Sequence, residues 1–270
     1  MHGQTVSLCK LRFRGNWGGS LVAMAHGVIF GLTLLTTHPM QAQTFSVLHY
    51  FTEVDGANPI AGVTVGPGGV LYGTAGGGPH GTGLVFKLSR VNSGWVLSPL
   101  YQFGGGGVAI GSSGALYSTT ESRGADYGTV FELRPPLTVC KSVLCYWNET
   151  LLYSFAGTPD GEYPYVENLA FDPAGNIYGT TLEGGRYGGG TTFELTHVSG
   201  GYTENLLHDF GSGTDGATPY SGVVLDSAGN VYGTTANGGA GEECDMGCGI
   251  VYQLMPSNGG WVENVLVTST

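Results

Sequence analysis

Three copies of an Asp-Gly-x-x-Pro motif supply the carboxylates with which this chain could do chemistry, at Asp55, Asp160 and Asp215. One carboxylate per copy, each on a connecting loop, could form a ring around a cation such as calcium, which prefers oxygen ligands. The competing interpretation is structural, because Asp-Gly suits a tight turn and proline fixes the entry of the next strand. No Asp-x-Asp spacing surrounds these aspartates, so we favour turns and keep the metal as a weaker hypothesis.

Other polar residues give weaker signals. The acidic stretch 242–245 could bind a cation or a basic partner, although a solvated loop stapled by Cys244–Cys248 is the favoured interpretation. His49 and His208 occupy one repeat position, which Tyr101 and Tyr153 fill in other copies, and this favours packing over catalysis. No Gly-x-Ser-x-Gly elbow, phosphate-binding loop or dinucleotide fingerprint is present. We therefore predict no catalytic residue and no cofactor.

Four cysteines after the first 42 residues form two close pairs, Cys140/Cys145 and Cys244/Cys248. An even, locally paired set in an oxidising compartment predicts two short-range disulfides. A four-thiolate zinc site is the alternative. Its paired ligands are usually two to four residues apart, and Cys140/Cys145 lies at or just beyond that spacing. Disulfides are the favoured prediction.

These candidates are set in a tandem repeat. A Tyr-Gly-Thr-like strand occurs four times, beginning at Tyr72, Tyr117, Tyr178 and Tyr232. Each copy follows a short apolar strand with a tight turn and precedes a glycine-rich loop and a Gly-Thr-Val-Phe-like strand. A fourth strand completes each unit. Glycine contributes 50 of the 270 residues at recurring offsets between apolar runs, which predicts many tight turns joining short strands.

A four-stranded unit of this kind cannot bury both of its faces alone, and radial stacking of such units is the β-propeller solution. We predict an all-β, β-propeller-type fold of four repeats, with one surplus strand. The approximate boundaries are 60–103, 107–155, 166–210 and 221–268, with the surplus strand at 44–51. The ring is either closed with four blades or part of a larger or open arc. A two-sheet sandwich remains an alternative that would not require the same motif four times.

The first 42 residues differ from the rest. A basic start at Lys10, Arg12 and Arg14 precedes the mostly apolar run 21–35, and the small residue Ala42 follows. That order is typical of a secretory signal peptide, so residues 1–42 are predicted to be a leader and 43–270 the repeat domain. Removing the leader leaves six basic and 20 acidic residues, a formal charge of −14. Such acidity disfavours nucleic acid and anionic membranes as partners.

The repeat resembles the GloVer repeats of bacterial surface proteins. Their pattern is similar to Asp-x-x-Gly-Asn-Leu-Tyr-Gly-Thr-Thr, then Gly-Gly, then Gly-Thr-Val-Phe-x-Leu. The stretches 172–181 and 226–235 match the first part closely, and 128–133 and 249–254 match the second. The resemblance implies a secreted or cell-surface protein whose biochemical activity is unassigned.

We expect a non-catalytic binding or structural module whose ligand is an extracellular protein or glycan. Two half-rings closing together would make self-association a further expectation. The alternative is an extracellular propeller enzyme of the metal-dependent lyase or lactonase type. Such an enzyme would need His, Glu or Asp on the first strands, and those strands are nearly all apolar. A truncated fragment without independent function is the third hypothesis.

Overall fold

Each predicted repeat forms one antiparallel sheet of four strands. The computed structural model describes residues 44–59, 61–77, 83–102, 105–121, 126–138, 145–164, 169–211, 214–240 and 244–268. Of these, the residues from Ser46 onward belong to one compact unit, Ser46–Thr270. The predicted leader, 1–42, lies outside the described residues. No helix among the described residues is long and apolar enough to cross a membrane.

The strands follow the repeats in chain order. The first repeat contains β1 (Thr64–Val65), a 3₁₀ turn (Pro67–Gly69), β2 (Leu71–Ala75), β3 (Leu84–Val91) and β4 (Gly94–Tyr101). The second contains β5 (Ala109–Ile110), β6 (Leu116–Thr120), β7 (Thr129–Arg134) and β8 (Asn148–Ser154), followed by β9 (Gly161–Glu162). The third contains β10 (Ala170–Phe171), β11 (Ile177–Thr181), β12 (Glu183–Gly184), β13 (Thr191–Val198) and β14 (Gly201–Asp209), followed by β15 (Gly216–Ala217). The fourth contains β16 (Val224–Leu225), β17 (Val231–Thr234), β18 (Asn237–Gly238), β19 (Ile250–Ser257) and β20 (Gly260–Thr268).

Four sheets share one topology, in which consecutive strands pair as a meander. Sheet 1 has the order β1-β2-β3-β4, sheet 2 β5-β6-β7-β8, sheet 3 β10-β11-β13-β14 and sheet 4 β16-β17-β19-β20. The register repeats too, because each second-strand tyrosine lies opposite one polar residue of the third strand. The pairs are Tyr72–Lys87, Tyr117–Glu132, Tyr178–Glu194 and Tyr232–Gln253.

Apolar side chains fill the three boundaries between successive sheets. Val85 of sheet 1 packs in one buried cluster with Phe131 and Leu133 of sheet 2. Val130, on the opposite face of sheet 2, packs with residues of sheet 3. Sheets 3 and 4 meet in a third cluster that includes Phe210. Adjacent residues of the third strand thus pack against different neighbouring sheets. No cluster of described residues joins sheet 4 to sheet 1.

The glycine of the Tyr-Gly-Thr element has a packing reason. A Cβ atom on Gly73 would lie 2.7 Å from the ring of Phe86, and one on Gly179 would lie 2.6 Å from the ring of Phe193. Both rings are almost fully buried and have no room to move. Close packing of the third-strand ring therefore requires glycine at this position in sheets 1 and 3, whereas sheet 2 has Ser118 opposite Phe131.

The predicted surplus strand at 44–51 is not a strand in the structure. A strand needs a hydrogen-bonded neighbour, and within the described residues no sheet offers one to this segment. Phe51 nevertheless packs on Phe86 of sheet 1, with ring centroids 5.2 Å apart. Phe155 makes the same contact with Phe193, also at 5.2 Å. The segment thus repeats the end of a fourth strand in its packing but not in its hydrogen bonds.

Candidate functional site

The three motif aspartates do not form a ring, because each is engaged at its own repeat boundary. Asp55 accepts hydrogen bonds from the backbone N–H and the hydroxyl of Thr52, at 2.6 and 2.7 Å. Asp160 accepts one from the backbone N–H of Ala156, at 2.8 Å. Asp215 accepts one from the N–H of Gly216, at 2.7 Å. Each carboxylate therefore serves its own boundary, and the three do not meet in one cluster among the described residues.

The Asp-Gly step of the motif joins neighbouring repeats rather than closing a simple hairpin turn. In β9, Gly161 pairs with Gly184 of β12, which belongs to the following repeat. In β15, Gly216 pairs with Gly238 of β18 in the same way. A Cβ atom on Gly184 would lie 2.5 Å from the carbonyl oxygen of Asp160, so this close approach requires glycine. At these two boundaries the glycine-rich loop therefore forms half of a two-stranded ladder.

A side chain from the segment that precedes each motif aspartate is hydrogen-bonded to that aspartate. His49 Nε2 lies 3.0 Å from Asp55 Oδ2, and His208 Nε2 lies 3.0 Å from Asp215 Oδ2. At the equivalent place, the Tyr153 hydroxyl donates to Asp160 at 3.0 Å. His208 also stacks edge-on against Phe210, with centroids 4.6 Å apart. The side chains at these positions thus form hydrogen bonds in addition to the predicted packing contacts.

Glutamates of the next repeat lie near the Asp160 and Asp215 pairs, and they were not predicted from the sequence. Glu149, Glu204 and Glu263 lie at one register position, each opposite a leucine of the third strand. The Tyr101 hydroxyl donates to Glu149. Glu263 Oε1 lies 3.8 Å from His208 Nε2. The signal in the sequence was a glutamate near the start of the fourth strand in three of the repeats. The first repeat has Leu97 at this position.

The electrostatics of two clusters are unusual. Burial, followed by the negative charges of Asp160 and Asp209, raises the pKa of Glu204 to about 7. Burial raises the pKa of Glu263 as well, with Asp215 adding to the effect and His208 opposing it. The pKa of His208 is raised although burial opposes this, because Asp215 accepts its hydrogen bond and Asp215 and Glu263 are negatively charged. Both boundaries therefore hold carboxyl groups that resist ionisation.

The second-strand tyrosines form a separate set of polar contacts. The Tyr117 hydroxyl donates to Glu132 at 2.7 Å, and Arg134 binds the same carboxylate at 2.7 and 2.9 Å. Burial alone would raise the pKa of Glu132, but the bonds from Arg134 and Tyr117 lower it overall. The Tyr178 hydroxyl donates to Glu194 at 2.9 Å. The same arrangement in successive repeats indicates scaffold rather than a ligand site.

A cleft of about 330 Å³ opens between loops of the third and fourth repeats. Its lining includes Tyr187, Thr218, Asn237 and Met246, and Asp215 reaches its wall. Tyr187 is 53% exposed and Met246 is 71% exposed. The loops that form this cleft differ from their counterparts in the other repeats. A larger cleft of about 490 Å³ is lined by Asp172, Asp226 and other residues of the repeated hairpin turns.

The cysteine prediction is confirmed for one pair and stays open for the other. Cys244 and Cys248 form a disulfide with Cα atoms 5.3 Å apart. It closes a turn whose Met246 carbonyl accepts a hydrogen bond from the N–H of Gly238 at 2.7 Å. The disulfide therefore holds Met246 beside the cleft. Cys140 lies outside the described residues, so its bond with Cys145 remains a prediction.

The other acidic and histidine residues form no further three-residue cluster among the described residues. Glu242 and Glu243 of the acidic stretch lie outside the described residues, as does His80. His197 packs edge-on against Tyr202, with ring centroids 5.1 Å apart. The first strands β1, β5, β10 and β16 carry no His, Asp or Glu. A lyase-type or lactonase-type metal centre would have to use other elements.

Comparison with known proteins identifies the family of this chain. No curated protein sequence matches the chain. The family model of the Gloeobacter/Verrucomicrobia repeat matches residues 104–268. This range covers the second, third and fourth sheets and both of the small ladders that join repeats. The chain therefore belongs to the Gloeobacter/Verrucomicrobia repeat family.

Proposed function

We propose that this protein is a secreted, β-propeller-type repeat module that binds an extracellular glycan and catalyses no reaction. The proposal has three parts, which concern architecture, location and ligand. The observation that carries the ligand part is the cleft between the loops of the third and fourth repeats.

The propeller part is supported by the repeated unit and by its packing. Each repeat is a four-stranded meander, and successive sheets bury one face against the next in chain order. Radially arranged blades have this local geometry. Secretion is supported by the basic, apolar and small-residue order of the first 42 residues and by the Cys244–Cys248 disulfide.

The cleft suits a sugar better than an apolar ligand. Its volume is at the lower end of the range for small-molecule sites, which is about 300–1,000 Å³. Tyr187 presents an exposed ring that can stack on a sugar face, and Asn237 and Thr218 add an amide and a hydroxyl. The larger hairpin-turn cleft is less suitable because its carboxylates are occupied. Asp172 and Asp226 each accept a hydrogen bond from the side chain of a turn asparagine, both at 2.8 Å.

A glycan array and titration calorimetry test the ligand part. The purified protein is applied to cello-, chito- and xylo-oligosaccharides and to peptidoglycan fragments, and the best binder is titrated. Tyr187→Ala is expected to weaken binding about three- to tenfold, the value of one aromatic stacking contact. Tyr50→Ala is the matched control, since Tyr50 is 77% exposed and does not line the cleft. Failure of every glycan to bind, or equal loss in both variants, would reject the cleft as a sugar site.

A further inference from the structure

Three metal-binding side chains meet at the boundary between sheets 3 and 4. His208 comes from β14, Asp215 from the loop that follows it, and Glu263 from β20 of the next repeat. One nitrogen and two carboxylate oxygens of these residues lie within 4.8 Å of one another. Adjacent ligands of a tetrahedral zinc ion are about 3.3 Å apart, given bonds of about 2.0–2.1 Å. The 3.0 and 3.8 Å separations from His208 Nε2 bracket that value.

Two of the donor atoms, His208 Nε2 and Asp215 Oδ2, share one hydrogen bond that a bound ion would replace. Asp215 uses Oδ1 for the Gly216 N–H, so its Oδ2 remains directed at His208. Glu263 Oε1 is inaccessible to solvent and has no hydrogen-bond partner. A buried carboxylate oxygen without a partner carries a free-energy cost, which a bound cation removes. The His208 ring is held in orientation by its contact with Phe210.

The other boundaries show that this combination is particular to one place. The same positions hold His49, Asp55 and Leu97 before sheet 1, so the second carboxylate is missing there. Before sheet 3 they hold Tyr153, Asp160 and Glu204, so the imidazole is missing. The boundary before sheet 2 has Tyr101 and Glu149 without a motif aspartate. Among the described residues, His208, Asp215 and Glu263 alone form a complete set of three donors.

We propose that His208, Asp215 and Glu263 form a zinc site that fastens sheet 3 to sheet 4. One imidazole and two carboxylates suit zinc or another first-row divalent metal better than calcium or magnesium, which need more oxygen ligands. Three protein ligands leave a fourth position for water, and Asp215 lies in the wall of the cleft from which water can enter. This site does not depend on the glycan proposal.

The repeat supplies its own substitutions for the test. His208→Tyr introduces the residue found at 101 and 153, and Glu263→Leu introduces the residue found at 97. His49→Tyr makes the same exchange at a boundary with only two donors, and it is the matched control. Glu263→Gln keeps the shape of the side chain if the leucine variant fails to fold.

The protein is stripped with a chelator and titrated with ZnCl₂, and separately with CoCl₂ to follow the visible absorption of bound cobalt. The wild type and His49→Tyr are expected to bind one ion per chain with the same cobalt spectrum. His208→Tyr and Glu263→Gln are expected to lose at least about 100-fold in affinity, beyond the roughly 10–100-fold that loss of an outer-shell partner costs. Zinc should also raise the unfolding temperature of the wild type and leave that of His208→Tyr unchanged. Absence of stoichiometric zinc in the wild type, or equal affinity in His208→Tyr, would overturn the proposal.

Discussion

At the scale of single residues, the glutamates at one register position show how neighbours decide what a side chain does. Glu149 accepts a hydrogen bond from the Tyr101 hydroxyl. Glu263 faces an imidazole and an aspartate. Glu204 lies near Asp160 and Asp209, and its Oε1 is buried without a hydrogen-bond partner. Glutamate at this position therefore accepts a hydrogen bond at one boundary, and at another it destabilises the folded protein when it is ionised.

Glu204 should make stability depend on pH. Its pKa is about 7 in the folded protein, against an ordinary value of 4.5. The folded state binds this proton more tightly, so the contribution to stability is full below about pH 4.5 and is lost as the pH rises to about 7. Glu204→Gln cannot ionise and should avoid that loss. We expect it to unfold about 2 °C above the wild type at pH 8 and at the same temperature near pH 4.5.

Thermal unfolding followed by circular dichroism from pH 4.5 to 8.5 measures the difference. Glu53→Gln is the control, because Glu53 is exposed and its removal should not alter the pH profile. An equal temperature shift in Glu204→Gln at all pH values would mean that the ionisation of Glu204 is not the cause.

At the scale of elements, each residue of the Tyr-Gly-Thr strand has a distinct task. The tyrosine hydroxyl binds polar groups of its own sheet, and the glycine makes room for the third-strand ring. In two copies the threonine binds towards the following repeat: Thr74 donates to the Gly106 carbonyl at 3.0 Å, and Thr180 donates to the Ser221 carbonyl at 2.9 Å. The Thr119 hydroxyl has no such partner among the described residues. One short strand thus organises its own sheet and its junction with the next.

Two departures from the repeat pattern occur together at the boundary of sheets 3 and 4. Thr192 stands where other third strands have Val85 and Val130, and Tyr252 stands where they have phenylalanine. Their hydroxyl groups lie 2.9 Å apart, and both side chains are fully buried. A polar pair has therefore replaced two apolar positions.

Removing one hydroxyl of this pair should cost more than removing both. Thr192→Val leaves the Tyr252 hydroxyl buried without a partner, which costs about 1–3 kcal/mol, and Tyr252→Phe should have a similar effect. The double variant restores the residues of the other repeats and should lie within about 0.5 kcal/mol of the wild type. Urea unfolding of the four proteins measures the coupling. Additive losses in the double variant would show that the hydroxyl groups do not act as a pair.

The repeating pattern made the four four-stranded units and the order of their strands predictable. Periodicity reports which residues share a face, and turn residues report where strands end. The two small ladders were not predictable in this way. Each uses two residues per strand, and their Asp-Gly and Gly-Gly sequences carry the same signal as ordinary turns. The strand predicted at 44–51 did not form for a different reason. Its composition suits a strand, but a strand also needs a hydrogen-bonded neighbour, which composition does not reveal.

The candidate site was foreseen only in part. His49, His208 and the motif aspartates were identified from their repeat positions, but sequence distance concealed that His208 and Asp215 contact each other. Glu263 comes from a different repeat, so its approach to them follows from how sheets 3 and 4 pack. Contacts across a boundary require the register of both sheets, which one sequence does not provide.

At the scale of the whole molecule, sheet 4 is the last of the four sheets, and among the described residues no other sheet covers its outer face. Val85, Val130 and Thr192 are fully buried because the next sheet packs over them. Val251 takes the same position in sheet 4 and is partly exposed. Val267, which pairs with Val251, is 56% exposed, and Val224 of the same sheet is 66% exposed. The face that joins repeats elsewhere is thus an apolar surface here.

We expect a second copy of this chain to cover that face, because the same kind of surface joins repeats within the chain. Sedimentation at micromolar concentration should then give twice the monomer mass. Val267→Glu places a charge on the face and should shift the protein to monomer without loss of folded structure, since the side chain is already half exposed. Val198→Glu alters an exposed valine at the end of β13 and should leave the dimer intact. A wild type that stays monomeric at 50 μM, a concentration of roughly the order at which weak association is seen, would show that the face serves another purpose.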